Sequence, residues 1–207
     1  MSAAPPAAAE LFGERLHLAE RYVAHLAGSG TERGLIGPRE GDRLWDRHVL
    51  NSAVVAELVP ATSSVVDVGS GAGLPGIPMA LARPDLQVEL VEPLLRRTTW
   101  LDEVVEDLGL GTQVTVTRGK VAVTGRRQVD VVTARAVAPL ERLLPMCVPL
   151  VRPGGLVLAL KGVHAQDEVD AVHDRLSSWE VASLDVARCG GGVLAEETTV
   201  VVARRSG

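Results

Sequence analysis

The sequence predicts a doubly wound α/β fold on a mostly parallel, seven-stranded sheet with an N-terminal helical extension. Three observations predict it. Short apolar runs alternate with segments of helical periodicity, the pattern of parallel strands joined by helices. The first run, residues 65–68, breaks at once into a loop with Gly69, Gly71 and Gly73, and then into an apolar helical stretch from Ile77. The last two runs follow one another without a helix between them, which places one antiparallel strand in the sheet.

Each element has its own warrant. Residues 7–26 carry Leu11, Phe12, Leu16, Ala19, Tyr22, Val23 and Leu26 at helical spacing and stop at Gly28-Ser29-Gly30. A second helix is expected from about Pro38 to Val59, with Leu44, Trp45, His48, Val49, Ser52, Val55 and Leu58 inward. Strands are expected at 65–68, 88–91, 114–117, 129–132 and 155–160, the first a short apolar run consistent with burial on both faces. Helices are expected at 77–82, 94–108, 140–150 and 164–176. Residues 179–187 and 199–203 supply the last two strands, with a glycine-rich loop at 190–192 between them. The expected organisation is a helical extension, 1–60, packed on a core, 61–207, as one domain overall.

Composition narrows the function. The chain has 207 residues, 46% apolar and 23% charged, with net charge −5, which argues against a protein that grips nucleic acid over its whole surface. Aromatic residues total 2%, too few for a stacking platform. No apolar run reaches the ~20 residues of a membrane helix. Residues 1–9 are rich in Ala and Pro and read as a frayed tail, not a signal peptide. Cys147 and Cys189 have no metal-ligand spacing. A cytoplasmic monomer without metal or membrane partner is expected.

The glycine loop admits two cofactor classes. Gly71, Gly73 and Gly76 fit the dinucleotide spacing, a weak signal alone. With Asp67 the pattern becomes acid-x-Gly-x-Gly-x-Gly, which resembles motif I of class I S-adenosylmethionine (SAM) methyltransferases. A carboxylate at the loop mouth would repel a pyrophosphate. Glu92, nineteen residues after Gly73, is placed to accept hydrogen bonds from both hydroxyls of a ribose. Val121 and Ala122 follow the third strand, where the loop covers the adenine in such folds. Arg135 follows the fourth strand and suits a carboxylate or an RNA phosphate. Lys161, after the fifth, is one of only two lysines and suits a phosphate or base. Arg96 and Arg97 either meet RNA backbone or form a solvated helix face. His48 has no nucleophile pattern around it and reads as a hydrogen-bonded helix residue.

Between Ala9 and Arg204 the chain resembles the bacterial glucose-inhibited-division protein B family. The resemblance rests on Leu44-Trp45-Asp46-Arg47-His48-Val49-Leu50-Asn51-Ser52, on Gly73-Leu74-Pro75-Gly76-Ile77-Pro78, on Glu92 to Arg97, on Ala134-Arg135-Ala136 and on Leu160-Lys161-Gly162. It implies a SAM-dependent methyltransferase acting on N7 of guanine 527 in 16S ribosomal RNA of the small subunit. It also implies that Gly69, Leu74, Val121, Ala122 and Arg135 line the SAM site, and that Arg135 and Lys161 lie near RNA. The family pattern has a glutamate where Ala122 stands, so a side-chain contact there is lost. Guanine N7 carries a lone pair and no proton, so no general base is expected. The rival readings are a small-molecule methyltransferase, a non-catalytic SAM- or RNA-binding module, and a nicotinamide oxidoreductase.

Overall fold

In the computed structural model, residues 3–37, 39–120 and 128–207 are described. They form seven strands: β1 (Ser64–Val68), β2 (Gln87–Glu92), β3 (Val114–Arg118), β4 (Val129–Arg135), β5 (Val151–Leu160), β6 (Val181–Cys189) and β7 (Thr198–Arg205). The sheet order is β3-β2-β1-β4-β5-β7-β6. β7 runs antiparallel between β5 and β6; the other neighbours pair in parallel. The chain order reverses direction across β1 and β4, and the crevice beyond their carboxyl ends is where such sheets take ligands.

Alternation within the strands builds two apolar layers. One face carries Val65, Val88, Leu90, Val131 and Leu158. It is covered by α1 (Pro6–Phe12), α2 (Leu16–His25), α4 (Gly76–Ala82) and α5 (Leu95–Asp107). The opposite face carries Val66, Val68, Val132, Ala134, Val157 and Val201, under α6 (Leu140–Cys147) and α7 (Ala165–Val172). Trp100 and Tyr22 are the largest side chains wholly shut from solvent on the first face. The N-terminal segment thus shares a continuous core with the sheet.

The helical lead-in differs from the expectation of two long helices. The first divides at Gly13, whose φ of +48° ends α1, and a short 3-10 turn leads into α2. A wide turn over Leu26–Gly30 closes α2. The second runs as a 3-10 turn (Gly41–Arg43), a wide π-type turn (Leu44–Leu50), a single α turn, α3 (Asn51–Ala53), and another 3-10 turn (Val54–Leu58). The inward face holds: Leu44, Trp45, Val49, Ser52 and Val55 are buried. Trp179 belongs to the 3-10 turn after α7, not to a strand, because Glu180 turns the chain at φ +57° before β6 begins. β4 runs three residues beyond its expected end, so Arg135 is its last residue.

Candidate ligand site at the carboxyl ends of β1, β2 and β4

The loop after β1 is folded back by its own backbone. Gly69 and Ser70 N–H groups donate to the Val91 carbonyl at 2.8 and 3.2 Å, and Gly73 and Leu74 donate to the Ser70 carbonyl. Ser70 Oγ donates to the Asp67 carbonyl at 2.8 Å. Gly73 has φ +83°, and a Cβ there would collide with Ile77. Gly76 opens α4 so tightly against β1 and β2 that a Cβ would strike Leu90 and crowd Asp67. Leu74 is buried in the large apolar cluster beneath the loop.

Asp67 is wholly buried. Its Oδ2 accepts the Gly76 N–H at 3.0 Å, which pins the start of α4 to the end of β1. Its Oδ1 is buried and has no hydrogen-bond partner among the described residues. Burial pushes the carboxyl up to about 7, against the lowering pull of the Gly76 N–H. Tyr22, from α2, reaches the same loop: its hydroxyl donates to the Ala72 carbonyl at 2.6 Å. Burial raises its phenol well above the ordinary value, so it remains a donor.

Glu92 ends β2 and is 1% exposed. Its Oε2 accepts the Gly71 N–H at 3.1 Å, and its Oε1 accepts the Leu94 N–H at 3.0 Å. One carboxylate thus ties the loop after β1 to the turn after β2. Arg97 Nη1 approaches the same Oε2 at 3.4 Å, and Arg97 Nε is buried without a partner among the described residues. This corrects the expectation that Arg97 faces outward: α5 turns it toward Glu92, and Arg96 alone of the pair is fully exposed. Leu94, Leu95 and Val137 leave exposed apolar surface around the loop.

Arg135, at the tip of β4, is anchored to the lead-in. Nη1 donates to the His48 carbonyl and Ser52 Oγ at 3.3 and 3.2 Å; Nη2 donates to the Arg47 carbonyl at 3.3 Å and to His48 Nδ1 at 2.7 Å. Lys161 differs from the expectation of a free cation. Its Nζ donates to Glu168 Oε2 at 2.7 Å and to the Ala138 carbonyl at 2.9 Å. Val121 and Ala122 lie outside the described residues.

The structure therefore brings Asp67, Gly69, Gly71, Glu92 and Arg135 to one end of the sheet, and turns Arg97 toward the buried Glu92 and Lys161 toward the half-buried Glu168. The reading of His48 as a hydrogen-bonded helix residue holds, while sequence reasoning missed Tyr22 and the identity of the His48 partners. Tyr22 and His48 both sit on inward helix faces, and no local pattern marks a side chain whose partner is fifty or eighty-seven residues away. Two buried carboxylates beside a glycine loop suit a ligand carrying cationic and hydroxyl groups and disfavour a pyrophosphate. A separate open cleft of about 920 Å³, lined by Arg43, Asp46, Arg47, Asn51 and Leu194 among others, involves none of these residues. Among the described residues no group of three His, Cys, Asp or Glu could hold a metal ion. Among the described residues no helix is long and apolar enough to cross a membrane.

Comparison with known proteins points one way. The GidB family model, described as rRNA small subunit methyltransferase G, matches residues 15–198. The ribosomal RNA small subunit methyltransferase G of Frankia casuarinae is 52% identical over 206 residues, spanning 98% of this chain and 78% of that protein. Its namesake in Renibacterium salmoninarum is 54% identical over 196 residues, 94% of this chain and 91% of that one. Among solved structures, the S-adenosylmethionine-dependent methyltransferase SibL, in its apo form, matches with TM-score 0.62 at 17% identity, over 98% of this chain and 70% of that one. At that identity the likeness speaks for the fold alone.

Proposed function

The chain belongs to the GidB family, rRNA small subunit methyltransferase G, and on that premise we propose that its loop of Gly69, Gly71 and Leu74 holds SAM for methylation of N7 of guanine 527 in 16S rRNA. It is a SAM-dependent methyltransferase of small-subunit ribosomal RNA. The observation that carries the cofactor assignment is the pair of buried carboxylates at the loop, one with an unpartnered oxygen, Asp67 Oδ1.

When bound, SAM supplies a methyl group on a sulfonium sulfur that leaves toward a nucleophile. The chain's own residues bind and orient. Asp67 Oδ1 is a buried acceptor in need of a donor, directly or through water. Glu92 keeps acceptor capacity after its two backbone N–H bonds, and Arg97 holds it by the longest of its three contacts, the easiest to exchange for a ribose hydroxyl. Among the described residues Arg135 has no carboxylate as a hydrogen-bond partner, so its charge is free for the cofactor carboxylate or an RNA phosphate. Arg96, exposed on α5, contacts RNA.

Because N7 has no proton to lose, no residue serves as a base. Alignment of donor and acceptor is the source of rate, and orientation of this kind supplies ~7–11 kcal/mol. The protein acts as a cytoplasmic monomer, with residues 1–60 as an extension of a 61–207 core.

Two measurements test the reading. Calorimetry should detect SAM binding to the purified chain and lose it in Gly71→Asp, which sets a carboxylate beside Glu92. Mass spectrometry of 16S rRNA should find 7-methylguanosine at position 527 only in cells that carry the gene. Methyl transfer at another base would keep the cofactor site and discard the substrate.

A further inference from the structure

We propose that neutral His48 is the positioning residue for Arg135, and that the Glu40–His48 pair of the lead-in fixes how well the β4 tip holds an anionic ligand group, a hold that is lost in acid. The inference rests on the reading of Arg135 as a ligand-binding cation.

The geometry is a chain of three side chains. Glu40 Oε2 lies 2.9 Å from His48 Nε2, and His48 Nδ1 lies 2.7 Å from Arg135 Nη2. Arginine has donors and no acceptor. At 2.7 Å, therefore, Nδ1 must present its lone pair, the ring must carry its proton on Nε2, and that proton is donated to Glu40. The Arg135 contact alone fixes the tautomer. The His48 side chain is 13% exposed, so little water is present to substitute for either partner.

Protonation of Nδ1 would set an N–H against the guanidinium N–H and place two cations in contact. Arg135 would keep its two carbonyls and Ser52 Oγ and lose its shortest bond. The charged groups around the relay act in both directions. Burial, and then Arg135 and Arg47, disfavour the imidazolium, while Glu40 favours it. Glu40 is itself held below the usual carboxylate range by the His48 bond, with help from Arg47 and Arg43. Tyr22 of α2 and Asp67 of β1 also act on the charge of Arg135, both favouring it. His48 ends below its ordinary value, so the neutral relay holds at neutral pH.

His48→Gln separates positioning from bulk structure. A single amide can donate to Glu40 and accept from Arg135, yet it does not titrate. The SAM dissociation constant is measured by calorimetry for wild type, His48→Gln, His48→Ala and Arg135→Met between about pH 8 and pH 5.5, with thermal unfolding as the check of folding. Asp67 also titrates in this range and affects every variant, so the ratio of wild type to His48→Gln isolates His48. That ratio should be near one at pH 8 and should turn steadily against wild type as the pH falls, staying below tenfold at pH 5.5 because His48 is held below its ordinary value. His48→Ala should bind about tenfold more weakly than wild type at pH 8. A constant ratio, with Arg135→Met clearly weakened, overturns the relay and leaves the Arg135 reading standing. Unchanged binding in Arg135→Met overturns the relay and, with it, the reading of Arg135 as a contact of the cofactor carboxylate.

Discussion

The tips of β4 and β5 are neighbours, with Arg135 opposite Leu160 in the register and Lys161 next along the chain. Each carries a cation that the sequence offers as a ligand contact. Their surroundings differ in one respect. Lys161 meets a carboxylate, Glu168, whose other duty is to accept the Leu140 N–H at the start of α6. Arg135 meets two carbonyls, a hydroxyl and an imidazole nitrogen. Neutral acceptors orient a guanidinium without cancelling its charge, whereas an ion pair spends the charge on the fold. Position at the end of a strand marks a candidate, and the partner decides what the candidate can do.

Arg135→Met gives the largest expected separation. It should lower kcat/KM on small-subunit rRNA by about 100-fold, the scale of a lost charged contact. Lys161→Met should cost no more than about fivefold. Equal losses would erase the distinction between the two tips.

Asp67 extends the comparison to a charge with no cation bonded to it. In the unfolded chain its carboxyl ionises near its ordinary value; in the folded chain it does so near 7. Between those values the folded state binds the extra proton, so wild-type stability relative to Asp67→Asn falls as pH rises from 5 to 7 and then levels. The change should be on the order of 2 kcal/mol by urea unfolding. A difference that is flat with pH would mean that Asp67 is already neutralised by a partner.

For the β5 tip the effect should appear in stability. Lys161→Met strands Glu168 beside the α6 N-terminus and should lower unfolding free energy by about 1–2 kcal/mol. Glu168→Gln is the mildest change: it frees the Lys161 charge, and the salt dependence of RNA binding should steepen by at most about one unit of slope. No change in slope would show that Lys161 stays out of reach of RNA even when released.

Much of this frame was legible in the residues. The apolar runs mark β1 and β2 most clearly because both are buried on both faces, and the glycine loop marks the switch point because only glycines fit where Gly73 and Gly76 sit. The lead-in was misread in its continuity. Helical periodicity survives a break when each piece packs on the same core, so Leu11 to Leu26 look like one helix although Gly13 interrupts them. Side-chain partners were the least legible. Arg97 is five residues from Glu92 and Lys161 is seven from Glu168, but which face a helix turns inward depends on the whole sheet. Tyr22 and His48 show the same limit from the other side: apolar patterning explains their burial and says nothing of the polar atoms at their ends.

The placement of β7 has a consequence for how the molecule assembles. The last strand in sequence lies between β5 and β6. Until Thr198–Arg205 inserts, β6 has no neighbour to bond and β5 presents an open edge, the kind of surface on which chains stick to one another. Completion of the fold therefore waits on a threading event at the carboxyl-terminal end, and nascent chains halted before residue 198 should be the species most in need of chaperones.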